Sequence, residues 1–373
     1  MTSKFVRVLS IMMMLLGLEC VYTWAAVSAR AESGAALMEV ELPSYISVEG
    51  VQGRFTIAGS NTMYPLVTRL AAEFRRYCPN VHIAIEGHGS KSVVAEDRRP
   101  FWEMVQNKST YRRGDGSDDG HQVSMQVQVM ASSRRLSTKE VETFESRYGY
   151  RPMGIPIALE AVAIYVHKDN PVQGLTLDQV NAIFSNTSRH GLKEITTWGQ
   201  LGLQDERREA GLHLYGRDQR SGTRAYFKER VLLDEEFRTT LQEEPGSANL
   251  ILAVGRDPLG IGYSGIGFQT SFVRVLPLAA KSGLPFVSPS AESVMDGSYP
   301  LTRTLYLYIN KKPSEKLSPA LSEFLRFVNS RQGQEIVVKA GVYALPPVEI
   351  HKNSEELHRH SDRSQKIRGN QNQ

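Results

Sequence analysis

The chain has 373 residues, of which 41% are hydrophobic, 23% charged and 8% aromatic; this composition excludes a disordered, collagenous or multi-span membrane protein and leaves room for two domains at roughly 150 residues each. Two cysteines are too few for a disulfide scaffold. The formal charge of +4 resides at the ends: residues 1–31 hold three cations against one acid and residues 351–373 five against three, so the body is neutral and has no bulk attraction for nucleic acid or an acidic membrane.

The first element reads as an address. Lys4 and Arg7 precede an apolar run over residues 8–18, and small residues ending Ala29-Arg30-Ala31 supply an A-x-A pattern. These features predict a secretory signal peptide over residues 1–31, cleaved near Ala31, and the run is short for a membrane anchor. Lipidation at Cys20 is a lesser alternative, because Glu19 stands where a lipidation motif wants a small residue. Cleavage leaves Cys78 alone, so no internal disulfide is expected.

Residues 54–58 form a short strand pattern that runs into Gly59-Ser60-Asn61-Thr62. Pro65 then opens a helix with Leu66, Val67, Leu70, Ala71 and Phe74 on one face. Residues 81–85 alternate as a second strand before Gly87-His88-Gly89-Ser90. The segment 97–122 is rich in charge and glycine and contains Asp115-Gly116-Ser117-Asp118-Asp119-Gly120, part of a calcium-loop spacing. Its twelfth position is Gln126, so the bidentate glutamate is missing and a loop is expected instead.

Val123, Met125, Val127 and Val129 alternate toward Ser132-Ser133-Arg134-Arg135. Residues 161–166 and 305–309 are the longest strand-like runs, and residues 321–338 read as one helix. Residues 351–373, with a single leucine, predict a disordered tail. Its His358-Arg359-His360 lacks the further ligands that a metal site needs. The recurring order of strand, polar turn and helix predicts an α/β fold.

Four of those turns place small hydroxyl, amide or cationic residues after a strand: 59–62, 89–90, 133–134 and 217–223. Ligands of open α/β sheets bind at the carboxyl ends of strands. Helices starting there add unpaired N–H groups and the positive end of a dipole, which favour an anion. Other chemistries fit less well. Gly260, Gly262 and Gly265 satisfy a dinucleotide spacing without a following helix pattern or an acid about 20 residues on. Ser221 lacks the surroundings of a nucleophile, and His88 reads as a turn residue with the capacity to make binding pH-sensitive.

Along residues 55–347 the chain resembles the periplasmic phosphate-binding proteins of bacterial phosphate ABC transporters, the PstS-like proteins. The resemblance rests on residues 58–65, 87–90, 131–134, 195–198, 217–223, 260–263, 297–303, 327–330 and 332–333, which follow one another in the family's order. It implies a two-lobed type II periplasmic binding protein fold, each lobe a sheet flanked by helices, with the ligand in the interlobe cleft. One lobe is expected over residues 51–158 and 303–348, with an insertion near 97–122, and the other over 159–302.

By the same resemblance, Ser60, Asn61, Thr62, Ser90, Arg134, Arg217, Ser221, Gly222 and Thr223 bind phosphate or a similar tetrahedral oxyanion. No catalytic residue, metal or cofactor is implied, and the expected partners are the ligand and the permease subunits of a transporter, for a monomeric, exported, non-enzymatic receptor. Arg134 departs from the pattern: well-studied members carry an aspartate there that accepts the proton of hydrogen phosphate. That departure, the 97–122 segment and the basic tail motivate an alternative, a signalling or scaffold protein that reports anion status to a membrane partner. A third class, an exported hydrolase or phosphotransferase, lacks a visible acid/base pair or metal cluster.

Overall fold

The computed structural model describes residues 42–87, 127–187 and 193–361. The signal-peptide span, the lipidation candidate Cys20, Ser90, the 97–122 segment and residues 362–373 lie outside them. The order of elements is β1 (Gly53–Gly59), α1 (Tyr64–Tyr77), β2 (Val81–Gly87), β3 (Val129–Ser132), α2 (Thr138–Tyr148), β4 (Met153–His167), β5 (Leu175–Thr176), α3 (Leu177–Phe184), β6 (His213–Arg217), α4 (Gly222–Arg230), β7 (Gln242–Glu244), α5 (Ser247–Arg256), β8 (Gly260–Gly265), β9 (Val273–Leu276), β10 (Leu278–Ala279), α6 (Ala291–Met295), β11 (Thr302–Ile309), α7 (Pro319–Val328), α8 (Arg331–Lys339) and α9 (Pro347–Ser361).

Among the described residues nine strands form a mixed sheet in the order β2-β1-β3-β11-β4-β8-β6-β7, with β9 on β4. The strand β1 is parallel to β2 and β3, and β6 is parallel to β7 and β8. Between these parallel groups stand the antiparallel strands β11 and β4. The first part of β4, up to Ala161, pairs with β11, whereas Val162 to Val166 pair with β8. One long strand thus carries the chain from one parallel group to the other. Pro156 falls beside a register shift at Leu305/Tyr306, where a residue without an N–H is tolerated.

Two cores follow this division. One packs α1, α7 and α8 against β1 and β11, with Phe74 meeting Phe324 and Phe327 at ring distances of 5.5 and 5.6 Å. The other gathers Phe184, Phe227, Phe237 and Tyr263 between α3, α4 and β8. Both are built from apolar stripes of amphipathic helices, such as Leu66, Val67, Leu70, Ala71 and Phe74 of α1. Among the described residues no helix is long and apolar enough to cross a membrane.

Two local expectations are corrected. Residues 321–338 are two helices, because Asn329 returns its side-chain amide to Leu325 O and Ser330 caps α8 at Gly333 N; such local side-chain bonds compete with helix continuation. The break folds α8 back closely enough that a Cβ on Gly333 would strike the Phe327 carbonyl. The expected tail is ordered as far as Ser361, since α9 buries Ile350, Asn353 and Leu357, and Asn353 donates to Pro156 O at 2.8 Å and Asn329 Oδ1 at 2.6 Å.

Candidate functional site

The carboxyl end of β6 carries Arg217, a large side chain only 1% exposed. Its Nη1 donates to Ser247 Oγ at 2.6 Å and Thr62 Oγ1 at 3.4 Å, and its Nη2 donates to the Pro245 carbonyl at 3.3 Å. Nε has no protein partner. Among the described residues no carboxylate lies within ion-pair distance of this guanidinium, because neighbouring Asp218 turns to Arg220. Burial presses the Arg217 pKa below its ordinary value, with the Asp218 charge opposing that shift. Buried charges are ordinarily paired, and this one has only neutral oxygens.

Three helix starts meet around it. Ser247 is the first residue of α5, Thr223 the second of α4, and Thr62 lies just ahead of α1. Thr62 Oγ1 is 3.1 Å from Thr223 Oγ1 and 3.4 Å from Ser247 Oγ. The free N–H groups of a helix start and its dipole favour negative charge. Asn61 reaches the same Pro245 carbonyl, its Nδ2 donating at 3.4 Å. These contacts join the loop after β1 to the loops after β6 and β7.

Close by, Arg303 of β11 and Glu160 of β4 form an ion pair, 4% and 1% exposed, with Nε and Nη2 donating to Glu160 Oε2 at 2.9 and 2.6 Å. Arg303 Nη2 also donates to Thr223 Oγ1 at 3.0 Å, while Nη1 is buried without a protein partner. With Glu160 neutralising Arg303, the charge left over is that of Arg217. The arrangement is a desolvated cation among hydroxyls and helix N-termini, which is chemically an anion receptor.

Of the expected residues, the structure brings Asn61, Thr62, Arg217 and Thr223 together. Ser60 is buried in the turn, donating its backbone N–H to Ala131 O and accepting from Met63 N. Gly59, at φ 135°, lies so close to Ala131 that a Cβ would strike its carbonyl. Ser221 caps α4 by accepting from Arg224 N at 3.3 Å, and Gly222 is the buried first residue of that helix. Ser90 falls outside the described residues.

Arg134 is corrected: it does not join the cluster. Its Nη1 and Nη2 each donate at 2.7 Å to the two carboxylate oxygens of Glu140, the third helical residue of α2. Burial alone would raise the Glu140 pKa, but the hydrogen bonds and charge of Arg134, with Ser137 as a further donor, hold it below the ordinary value. Arg134 is therefore a neutralised structural cation that ties the loop after β3 to the start of α2.

Ser247, Pro245 and Arg303 with Glu160 are the contributors that sequence reasoning missed. Gly246-Ser247 ahead of Leu250, Ile251 and Val254 carries the same signal as the turns that were found, a small hydroxyl residue before an apolar helix. Gly260 and Gly262 lie inside β8, which is not the turn a dinucleotide site needs. Among the described residues no group of three metal-ligating side chains occurs.

The PBP superfamily domain matches residues 47–332. The chain is 38% identical over 336 residues to the phosphate-binding protein PstS of Pseudomonas aeruginosa, covering 90% of this chain and 96% of that protein. It is 24% identical over 283 residues to the protein SphX of Synechococcus elongatus, covering 75% of this chain and 74% of that one. Among solved structures, a candidate phosphate ABC transporter substrate-binding protein from Clostridium perfringens, with bound phosphate, matches with a TM-score of 0.60 and 25% identity, over 79% of this chain and all of that one. An ABC-type phosphate transport receptor from Vibrio cholerae shares the fold, at a TM-score of 0.55 and 19% identity over 78% of this chain and all of that one.

Proposed function

Because the chain belongs to the PstS phosphate-binding proteins of the PBP superfamily, we propose that it captures inorganic phosphate at the hydroxyl cluster around Arg217 and hands it to the permease subunits of a phosphate ABC transporter outside the cytoplasm. The observation that carries this reading is the Arg217 guanidinium, 1% exposed and, among the described residues, hydrogen-bonded to hydroxyl and carbonyl oxygens alone. A phosphate dianion supplies the missing countercharge, and the hydroxyls of Thr62, Thr223 and Ser247 with the starts of α4 and α5 supply donors for its oxygens. Asn61, Ser60, Ser221 and Gly222 shape the two loops that meet there, and Ser90 belongs to the same proposed set. Arg134 does not. No bond is made or broken; the proposed work is capture and release.

The proposed lobes are residues 51–158 with 303–348, and residues 159–302, and they exchange at the place where β4 passes from β11 to β8. Charged hydrogen bonds contribute about 1.5–3 kcal/mol each, so a handful around one anion reaches the roughly 8 kcal/mol of micromolar binding after association costs. Delivery to a transporter is tested by uptake of radiolabelled phosphate in cells lacking this protein. Uptake should fall, wild-type protein should restore it, and the Arg217→Ala variant should not. Unchanged uptake in the deletion strain would contradict the transport role.

A further inference from the structure

The hydroxyl chain at the site is fed by a guanidinium at each end. Arg217 Nη1 donates to Ser247 Oγ at 2.6 Å, and Arg303 Nη2 donates to Thr223 Oγ1 at 3.0 Å, with Thr62 Oγ1 between the two hydroxyls at 3.4 and 3.1 Å. Arginine has donors and no acceptor, so Ser247 and Thr223 must accept at those contacts. Three hydroxyl protons serve at most two links among three oxygens, which leaves at least one proton to be donated elsewhere. Arg217 Nη1 also donates to Thr62 Oγ1 at 3.4 Å, so all three oxygens accept from a guanidinium and the surplus hydroxyl proton is available to an acceptor outside the chain.

We propose that Arg303 is a positioning residue of the anion site, holding the Thr223 hydroxyl as a donor to the anion, with Glu160 anchoring Arg303. The inference rests on the phosphate-receptor reading and adds to it a pair that the family motifs do not assign to the ligand. Its support is geometric. Arg303 and Glu160 are direct partners in the β11–β4 ladder, at the end of the pairing that β4 then transfers to β8. Both are buried, at 4% and 1% exposure, and Tyr226 of α4 lies under the guanidinium at 5.5 Å. Gly265, at the end of β8, has no Cβ, and a Cβ there would strike Glu160 Oε1. The pair therefore sits on the strands that join the two parallel groups, and the same Nη2 that meets Glu160 reaches Thr223 at the start of α4. A rigid second contact of this kind orients a ligand-binding group without touching the ligand.

A double-mutant cycle tests the assignment, with phosphate affinity measured by calorimetry for wild type, Thr223→Val, Arg303→Lys and the double variant. Lysine keeps a charge opposite Glu160 but lacks the planar second donor that holds Thr223. Each single variant is expected to weaken binding about tenfold, the scale of one hydrogen bond, and the double variant about tenfold as well, because both remove the same donor. An Arg303→Lys affinity within about twofold of wild type overturns the proposal. So does a double variant weakened about a hundredfold, the multiplicative result of a contact independent of Thr223. If Arg303→Lys shows no cooperative melting transition, the same cycle is run with the paired change Arg303→Met with Glu160→Gln in its place, which removes both charges together and leaves the net charge at the site unchanged, and the same two outcomes decide. Failure of wild-type protein to bind phosphate overturns the receptor reading itself and is distinct from either.

Discussion

The proposed anion site centres on Arg217, a residue that bulk charge gives no reason to single out. Among the described residues Arg217 is buried with no carboxylate beside it, so the charge is local and directional. Replacing it with alanine should weaken phosphate binding by at least about 2 kcal/mol, the scale of one charged hydrogen bond, in a titration of the folded variant; unchanged affinity would remove Arg217 from the site. Ser247→Ala should weaken binding by about 0.5–1.5 kcal/mol, and a smaller loss in the Arg217→Ala background would show the two acting together. Arg217, Thr62 and Thr223 were legible because each lies in a polar turn between a strand and a helix. Arg303 and Glu160 were not, since each reads as a lone charge near an apolar strand run. Only the β4–β11 register makes them partners.

At the scale of elements, α2 is held by two nested devices. Ser137 and Glu140 form a capping box, and Glu140 also takes both Arg134 nitrogens. Glu140→Gln leaves a buried guanidinium without its charge partner and should lower unfolding free energy by about 3–5 kcal/mol at neutral pH. The sign of its pH dependence follows from the lowered Glu140 pKa. The pair's contribution is complete above the ordinary carboxyl value of 4.5 and is lost as pH falls through the lower folded-state value. Denaturant melts of wild type and variant should therefore converge in strong acid, and a stability gap independent of pH would contradict the pairing.

The helix α9 makes the complementary point. Its composition is that of a tail, and its order comes from a narrow stripe, Ile350, Asn353 and Leu357, that only the groove beside Pro156 and Asn329 makes meaningful. Ile350→Ala should cost about 2–5 kcal/mol, as measured by denaturant unfolding, whereas a disordered segment would tolerate it. The break at Asn329-Ser330 was hidden for a similar reason, since its apolar spacing continues through the turn.

For the whole molecule, the recurring order of strand, polar turn and helix predicts an α/β fold, and the two-lobed type II arrangement is what the resemblance of those turns to the PstS-like proteins implies. Among the described residues Arg134 and Arg303 have carboxylate partners and Arg217 has none, which is why the proposed ligand contact falls to Arg217 and the proposed positioning role to Arg303. The contacts of Asn61 and Thr62 with Pro245, Thr223 and Ser247 bridge the loop after β1 to those after β6 and β7. Calorimetric titration of phosphate into the chain without residues 1–31 tests this account most directly. It predicts one saturable site with micromolar or tighter affinity, and the absence of detectable binding to phosphate, sulfate and arsenate alike would contradict it.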